Sequence, residues 1–160
     1  MTIKVGDRIP SIVLQQKTAD GVQPVKTDDL FKGKKVVLFA VPGAFTPTCS
    51  AKHVPSYMEN LDALKQKGVD EVWCLSVNDP FVMGAWSRDQ KAGGKIRFMA
   101  DGSAEYTRKL GLTLDLTQRG LGLRSNRYSM LVDDGVVKSL NVEAPGKFEV
   151  SDAKTMLSQV

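Results

Sequence analysis

The chain has a single histidine and only two cysteines in 160 residues. One histidine excludes a multi-histidine metal centre, and no Cys-x-x-Cys pair suggests zinc. Two cysteines in different pattern contexts make no disulfide framework, so a reducing compartment, the cytoplasm, is the expected setting. No apolar run approaches the ~20 residues needed to cross a bilayer. Residues 1–15 lack the basic start, apolar middle and small-residue cleavage site of a secretory signal, and no transit segment shows. Net charge is small too, +4 from 22 basic and 18 acidic residues. The densest basic cluster, Lys32, Lys34 and Lys35, flanks a turn before a strand, a common solvated edge. A nucleic-acid surface wants a basic face with interleaved aromatics, and none is present. Low-complexity tracts, linkers and internal repeats are likewise missing, so residues 1–160 read as one domain with a substantial core.

What is present converges on Cys49. The run Lys35-Val36-Val37-Leu38-Phe39-Ala40-Val41 is short, apolar and rich in β-branched residues, as a buried strand is. Pro42 and Gly43 end it. Thr46 then suits a helix N-cap and Pro47 the first helical position, where its missing N–H costs nothing. Cys49 falls in the first turn, among unpaired N–H groups at the positive end of the helix dipole. Such a site favours thiolate over thiol and can move a cysteine pKa from ~8.5 toward neutrality. Most free cysteines are buried and inert, and Cys74 serves as the contrast. It lies in the strand pattern Glu71-Val72-Trp73-Cys74-Leu75-Ser76-Val77 with no cap or cation near it, and reads as packing.

The remaining pattern alternates strands and helices. A strand around 12–15 turns at Asp20-Gly21 into 22–26, and residues 27–34 read as a loop. The strand at 36–40 leads through the cysteine loop into one helix at 48–67, on which Val54, Met58, Leu61 and Leu64 recur at helical spacing. A strand at 71–77 is followed by Asn78-Asp79-Pro80, a cap with proline behind it, and a helix at 80–91. Strand 97–100 precedes Ser103, which is expected to cap a short helix ending at Gly111. Residues 113–126 show no period. The segments 128–132 and 136–142 form a hairpin about Asp133-Asp134-Gly135, and Ser151 is expected to cap a last helix at 152–159. This order predicts an α/β, thioredoxin-like fold. A central mixed sheet would carry helices on both faces, an N-terminal β-hairpin, and antiparallel strands at one edge. Active sites of such sheets gather at the C-terminal ends of the parallel strands, and Cys49 directly follows one.

A thiolate nucleophile needs charge stabilisation and donors that hold its electrophile. Thr46 can turn its hydroxyl toward the sulfur or act only as a cap. Arg127, just ahead of the strand Tyr128–Val132, can project from the sheet end with a charge that persists at any working pH, though spacing alone cannot bring it to Cys49. His53 shares a helix face with Cys49, but a cysteine protease also needs a group to orient the imidazole, and none is recognisable. His53 therefore reads as structural.

The segment Pro42-Gly43-Ala44-Phe45-Thr46-Pro47-Thr48-Cys49-Ser50 resembles the Pro-x-x-x-Thr-x-x-Cys motif of the peroxiredoxins, in the form found in the peroxiredoxin-5 (type II) subfamily. The likeness extends through His53-Val54-Pro55, Ser76-Val77-Asn78-Asp79-Pro80-Phe81-Val82-Met83, Trp86, Phe98-Met99-Ala100-Asp101-Gly102 and Arg127-Tyr128-Ser129-Met130. The resemblance implies a peroxidatic Cys49 that becomes a sulfenic acid. Thr46 would bond thiolate and peroxide, Arg127 would stabilise the thiolate and the developing charge, and Pro42 would shield the pocket. Backbone N–H groups near Thr48 and Cys49 would meet the peroxide oxygens. No metal or other cofactor is implied.

Some members of this subfamily carry a resolving cysteine near the C-terminus, but Gly146-Lys147-Phe148-Glu149-Val150-Ser151 contains none. A one-cysteine cycle follows, resolved by glutathione with glutaredoxin or by thioredoxin. The resemblance also implies a homodimer, with Phe45 and Leu121-Gly122-Leu123 as apolar contacts. Two rivals are weighed. A thioredoxin-type oxidoreductase is disfavoured because Thr46 stands where its first cysteine would be. A redox sensor would oxidise once and stall.

Overall fold

Residues 2–160 are described in this computed structural model. The elements, in chain order, begin with β1 (Val13–Thr18), β2 (Gly21–Lys26), α1 (Thr27–Phe31) and β3 (Lys35–Val41). A π-helical turn (Cys49–His53), α2 (Val54–Glu59), α3 (Leu61–Gln66), β4 (Glu71–Ser76) and α4 (Pro80–Asp89) follow. Then come β5 (Arg97–Ala100), α5 (Glu105–Leu110), β6 (Thr113–Leu116), a 3-10 turn (Thr117–Arg119) and β7 (Gly122–Ser125). The last are β8 (Tyr128–Asp133), β9 (Val136–Val142) and α6 (Ala153–Leu157).

Seven strands form one mixed sheet in the order β2-β1-β5-β4-β3-β8-β9, with β3, β4 and β5 parallel at its centre. Antiparallel strands flank both sides, not one edge as expected: β1–β2 beyond β5, and β8–β9 beyond β3. Alternation along the central strands sorts two cores. Val37, Phe39 and Val41 face the same side as Val72 and Cys74, whereas Val36, Leu38 and Ala40 join Trp73 and Leu75 on the other. Cys49 packs in the first of these cores, with α2, α3, α4 and α6 residues.

Several local expectations are corrected. Residues 27–31 are helical because Thr27, Leu30 and Phe31 bury one face while Asp28 and Asp29 sit in the first turn, where negative charge is favoured. The single helix expected at 48–67 is broken twice. Pro55 has no N–H and its ring crowds the carbonyl one turn back, and the turn before it is wide, with Val54 N–H bonding Cys49 O. Asn60 interrupts again, its side chain donating to Ser56 O at 2.7 Å. Ser103 does not cap α5; the buried carboxylate of Asp101 does, accepting from Tyr106 N and Thr107 N at 3.1 and 2.9 Å. Ser151 does not cap α6 either, since Asp152 accepts from Thr155 N at 3.3 Å. The unpatterned stretch 113–126 holds the β6–β7 hairpin.

Candidate active site

The site begins where β3 ends. Beyond Pro42 the chain makes a tight loop in which Phe45 takes φ 64°, a left-handed conformation that a bulky residue rarely adopts. A side chain at Gly43 would be crowded, since a Cβ there would lie 3.1 Å from Thr46 Cγ2 and 3.2 Å from Arg124 Nη1, and both would have to give by a few tenths of an ångström. Asn78 Oδ1, just past β4, accepts from Ala44 N at 2.9 Å, and Arg124 donates to Val77 O at 3.2 Å. The loop is thus tied to the neighbouring parallel strand. On its other side Trp86 Nε1 of α4 donates to Ser50 Oγ at 3.0 Å, clamping the residue after Cys49.

The Thr46 backbone starts the helix as expected, its carbonyl accepting from Ser50 N at 3.0 Å. Its hydroxyl does not cap: it donates to Gly43 O at 2.7 Å, which leaves its oxygen lone pairs free to accept. Pro42, Thr46, Thr48 and Arg127 line a cavity of about 300 Å³, which Leu114 and Leu116 of β6 wall on an apolar side. Cys49 is wholly buried behind it.

Arg127 reaches the sulfur, with Nη2 3.1 Å from Cys49 Sγ. Its Nη1 lies 2.9 Å from His53 Nδ1, and His53 Nε2 lies 3.0 Å from Ser151 O. A guanidinium only donates and a carbonyl only accepts, so the imidazole is neutral with its proton on Nε2. Burial first, then the Arg127 charge, hold its pKa down at about 3, against the smaller opposing pull of Ser151 O. His53 is therefore no base for Cys49. Sequence spacing placed it beside the cysteine but missed its role as the rest for Arg127, because its partners lie 74 and 98 positions away. Asn78, Trp86 and Ser151 were missed as site supports for the same reason.

Both cysteines are free, and Cys74 is buried on the same side of the sheet as Cys49. Burial pushes the Cys74 thiol well up, Cys49 adds to this, and Arg127 opposes it. Among the described residues no cluster of His, Cys, Asp and Glu is placed to hold a metal ion.

The redoxin family matches residues 4–157. Peroxiredoxin-2B of Arabidopsis thaliana is 51% identical over 156 residues, covering 97% of this chain and 96% of that protein. A Burkholderia cenocepacia protein provisionally described as a thioredoxin reductase is 54% identical with a TM-score of 0.98, over 100% of this chain and 99% of the other. Reduced Prx3 of Vibrio vulnificus in complex with H2O2 is 52% identical with a TM-score of 0.94, each chain covered to 98%. The chain belongs to the peroxiredoxins, the thiol-dependent peroxidases of the redoxin family.

Proposed function

We propose that Cys49 carries this peroxidase activity in a one-cysteine cycle completed by an external thiol, glutathione with glutaredoxin in first place and thioredoxin in second. The observation that carries the reading is the 3.1 Å contact of Arg127 Nη2 with Cys49 Sγ behind the cavity lined by Pro42, Thr46 and Thr48. The sulfur attacks the terminal oxygen of hydrogen peroxide or a small organic hydroperoxide. The S–O bond forms as the O–O bond breaks, and water or the alcohol leaves with the proton the thiol gave up. Arg127 stabilises both the attacking sulfur and the charge that develops on oxygen, the Thr46 oxygen accepts from the peroxide O–H, and the N–H groups near Thr48 and Cys49 meet the oxygens. Pro42, half-buried at the cavity wall, limits water around the sulfur.

One thiol then displaces water from the sulfenic acid to give a mixed disulfide, and a second thiol releases Cys49. Cys74 does not serve as resolving thiol, because it is wholly buried in β4 and stays protonated. Two unpaired cysteines suit a reducing compartment, and the cytoplasm is our assignment. We also assign a homodimer. Phe45 is 52% exposed at the rim of the site, a large apolar side chain that a second copy would cover, and Leu121 and Leu123 are half-buried on the β6–β7 hairpin.

Peroxide consumption with glutathione and glutaredoxin tests the cycle. Cys49→Ser abolishes turnover and Cys74→Ser keeps it. Stoichiometric oxidation followed by a stall, with any of these reductants, would point to a sensor instead. Non-reducing mass spectrometry of peroxide-treated protein shows no quantitative Cys49–Cys74 bridge. Sedimentation at micromolar concentration gives a dimer that Phe45→Glu weakens, and a clean monomer would defeat that assignment.

A further inference from the structure

Glu143 follows β9 and is only 5% exposed, yet among the described residues no cation pairs with it. Its carboxylate is satisfied by N–H and O–H groups alone. Oε2 accepts from Glu149 N at 2.9 Å, Val150 N at 2.8 Å, Ser151 N at 2.8 Å and Ser151 Oγ at 2.7 Å, and Oε1 accepts from Glu149 N at 3.0 Å. Burial raises its pKa, but these donors outweigh burial and hold the carboxyl below its usual range.

The segment gathered in this way delivers one group to the site. Ser151 O accepts from His53 Nε2 and from Tyr57 Oη, each at 3.0 Å, while the Phe148 ring lies 4.9 Å from the imidazole. The Glu143 backbone N–H donates to Arg127 O at 2.9 Å. The connections therefore close a ring. Arg127 is held at its backbone by Glu143, and at its guanidinium by His53, which Ser151 orients and Glu143 in turn positions.

We propose that Glu143 is a positioning residue for the peroxidase reaction: its carboxylate folds residues 149–151 so that Ser151 O fixes the His53 tautomer, and His53 Nδ1 then aims Arg127 at Cys49. Cost and specificity both argue against a carboxylate kept only for packing. A glutamine in its place sets an amide N–H₂ against Glu149 N–H where Oε1 now accepts, and leaves one neutral amide oxygen, a weaker acceptor than a carboxylate, to hold the donors that converge on Oε2.

The chain has one histidine, so ¹⁵N labelling of histidine reads His53 without assignment. The expected wild-type spectrum is a single neutral tautomer protonated at Nε2. Glu143→Gln is expected to mix the tautomers or broaden the signal, and to slow the reaction of Cys49 with hydrogen peroxide about tenfold or more, the scale on which misplacement of a reacting group acts. In a His53→Gln background the same change is expected to cost nothing further, because the link it works through is already gone. Three results would each overturn the proposal: an unchanged tautomer alongside a slowed reaction, an undiminished rate, or losses that simply multiply in the double variant. Should Glu143→Gln fail to fold, Ser151→Ala removes one donor to the carboxylate and leaves the backbone intact. Its expected effects have the same pattern and smaller size, and the same three results count against the proposal.

Discussion

Arg127 and Cys49 are 78 positions apart in sequence and 3.1 Å apart at Nη2 and Sγ. The planar guanidinium spans two partners at once, with Nη2 on the sulfur and Nη1 on His53. A lysine ammonium is a single point on a flexible stem and cannot repeat that geometry. Arg127→Lys is expected to slow sulfenic acid formation about 10²-fold, the cost typical of losing one preorganised donor. Stopped-flow measurement of the reduced protein with peroxide reads this directly, and a loss under threefold would mean the contact is incidental.

His53 predicts a pH dependence of stability. Its pKa in the folded protein is about 3, against about 6.5 in an unfolded chain. The unfolded state therefore binds a proton below pH ~6.5 that the native state refuses, so stability is complete above that value and falls as the pH drops toward 3, by up to ~1.4 kcal/mol per pH unit. His53 is the side chain whose ordinary titration falls between pH 7 and 5. Urea midpoints are expected to fall over that range in the wild type and to fall much less in His53→Gln.

Trp86 donates to Ser50, the neighbour of Cys49, whereas Trp73 lies in the opposite core. Oxidation of Cys49 is expected to change tryptophan fluorescence through Trp86. Trp86→Phe should erase the peroxide-induced change and Trp73→Phe should keep it.

Asp101 is a buried carboxylate whose pKa burial raises, against bonds from Thr107 and Tyr106 that lower it. It caps α5, away from the cavity. Asp101→Asn is expected to lower stability by about 1–3 kcal/mol, the cost of an imperfectly satisfied buried cap. Denaturant unfolding measures the loss, and the peroxide reaction rate should stay within twofold of wild type.

The parallel strands, the Asp79 cap on α4 and the placement of Cys49 after β3 were all legible, because each rests on local signals: an apolar run, a capping residue, a proline at the first helical position. The breaks in the cysteine helix were less so. Pro55 was in view, but apolar spacing at Val54, Met58, Leu61 and Leu64 continues across both interruptions and hides them. Capping by Asp101 instead of Ser103, and by Asp152 instead of Ser151, turned on which oxygen could reach the open N–H groups. At Ser151 the decision was made elsewhere, since Glu143 claims its hydroxyl. The short strands β6 and β7 carry no alternation long enough to register, with five of their eight residues only partly covered. The site shows the same division. Thr46, Pro42 and Cys49 form one contiguous motif, while His53, Asn78 and Ser151 matter through contacts that only the folded sheet creates.

Cys49 has no exposed surface, and this shapes the order of events. Hydrogen peroxide, larger than the water this surface already excludes, needs a small shift at the cavity wall to meet the sulfur, and the thiol of another protein needs a far larger one. The π-helical turn bearing Cys49 is five residues long and is followed by the weak points at Pro55 and Asn60, so it can unwind without dismantling the helices beyond it. Opening for the reductant alone would keep the two co-substrates from competing for one conformation. In the one-cysteine cycle proposed above, the closed form would take oxidant and an opened form reductant, and the expected kinetics are a ping-pong scheme whose ceiling at high peroxide is set by opening and reduction rather than by bond cleavage.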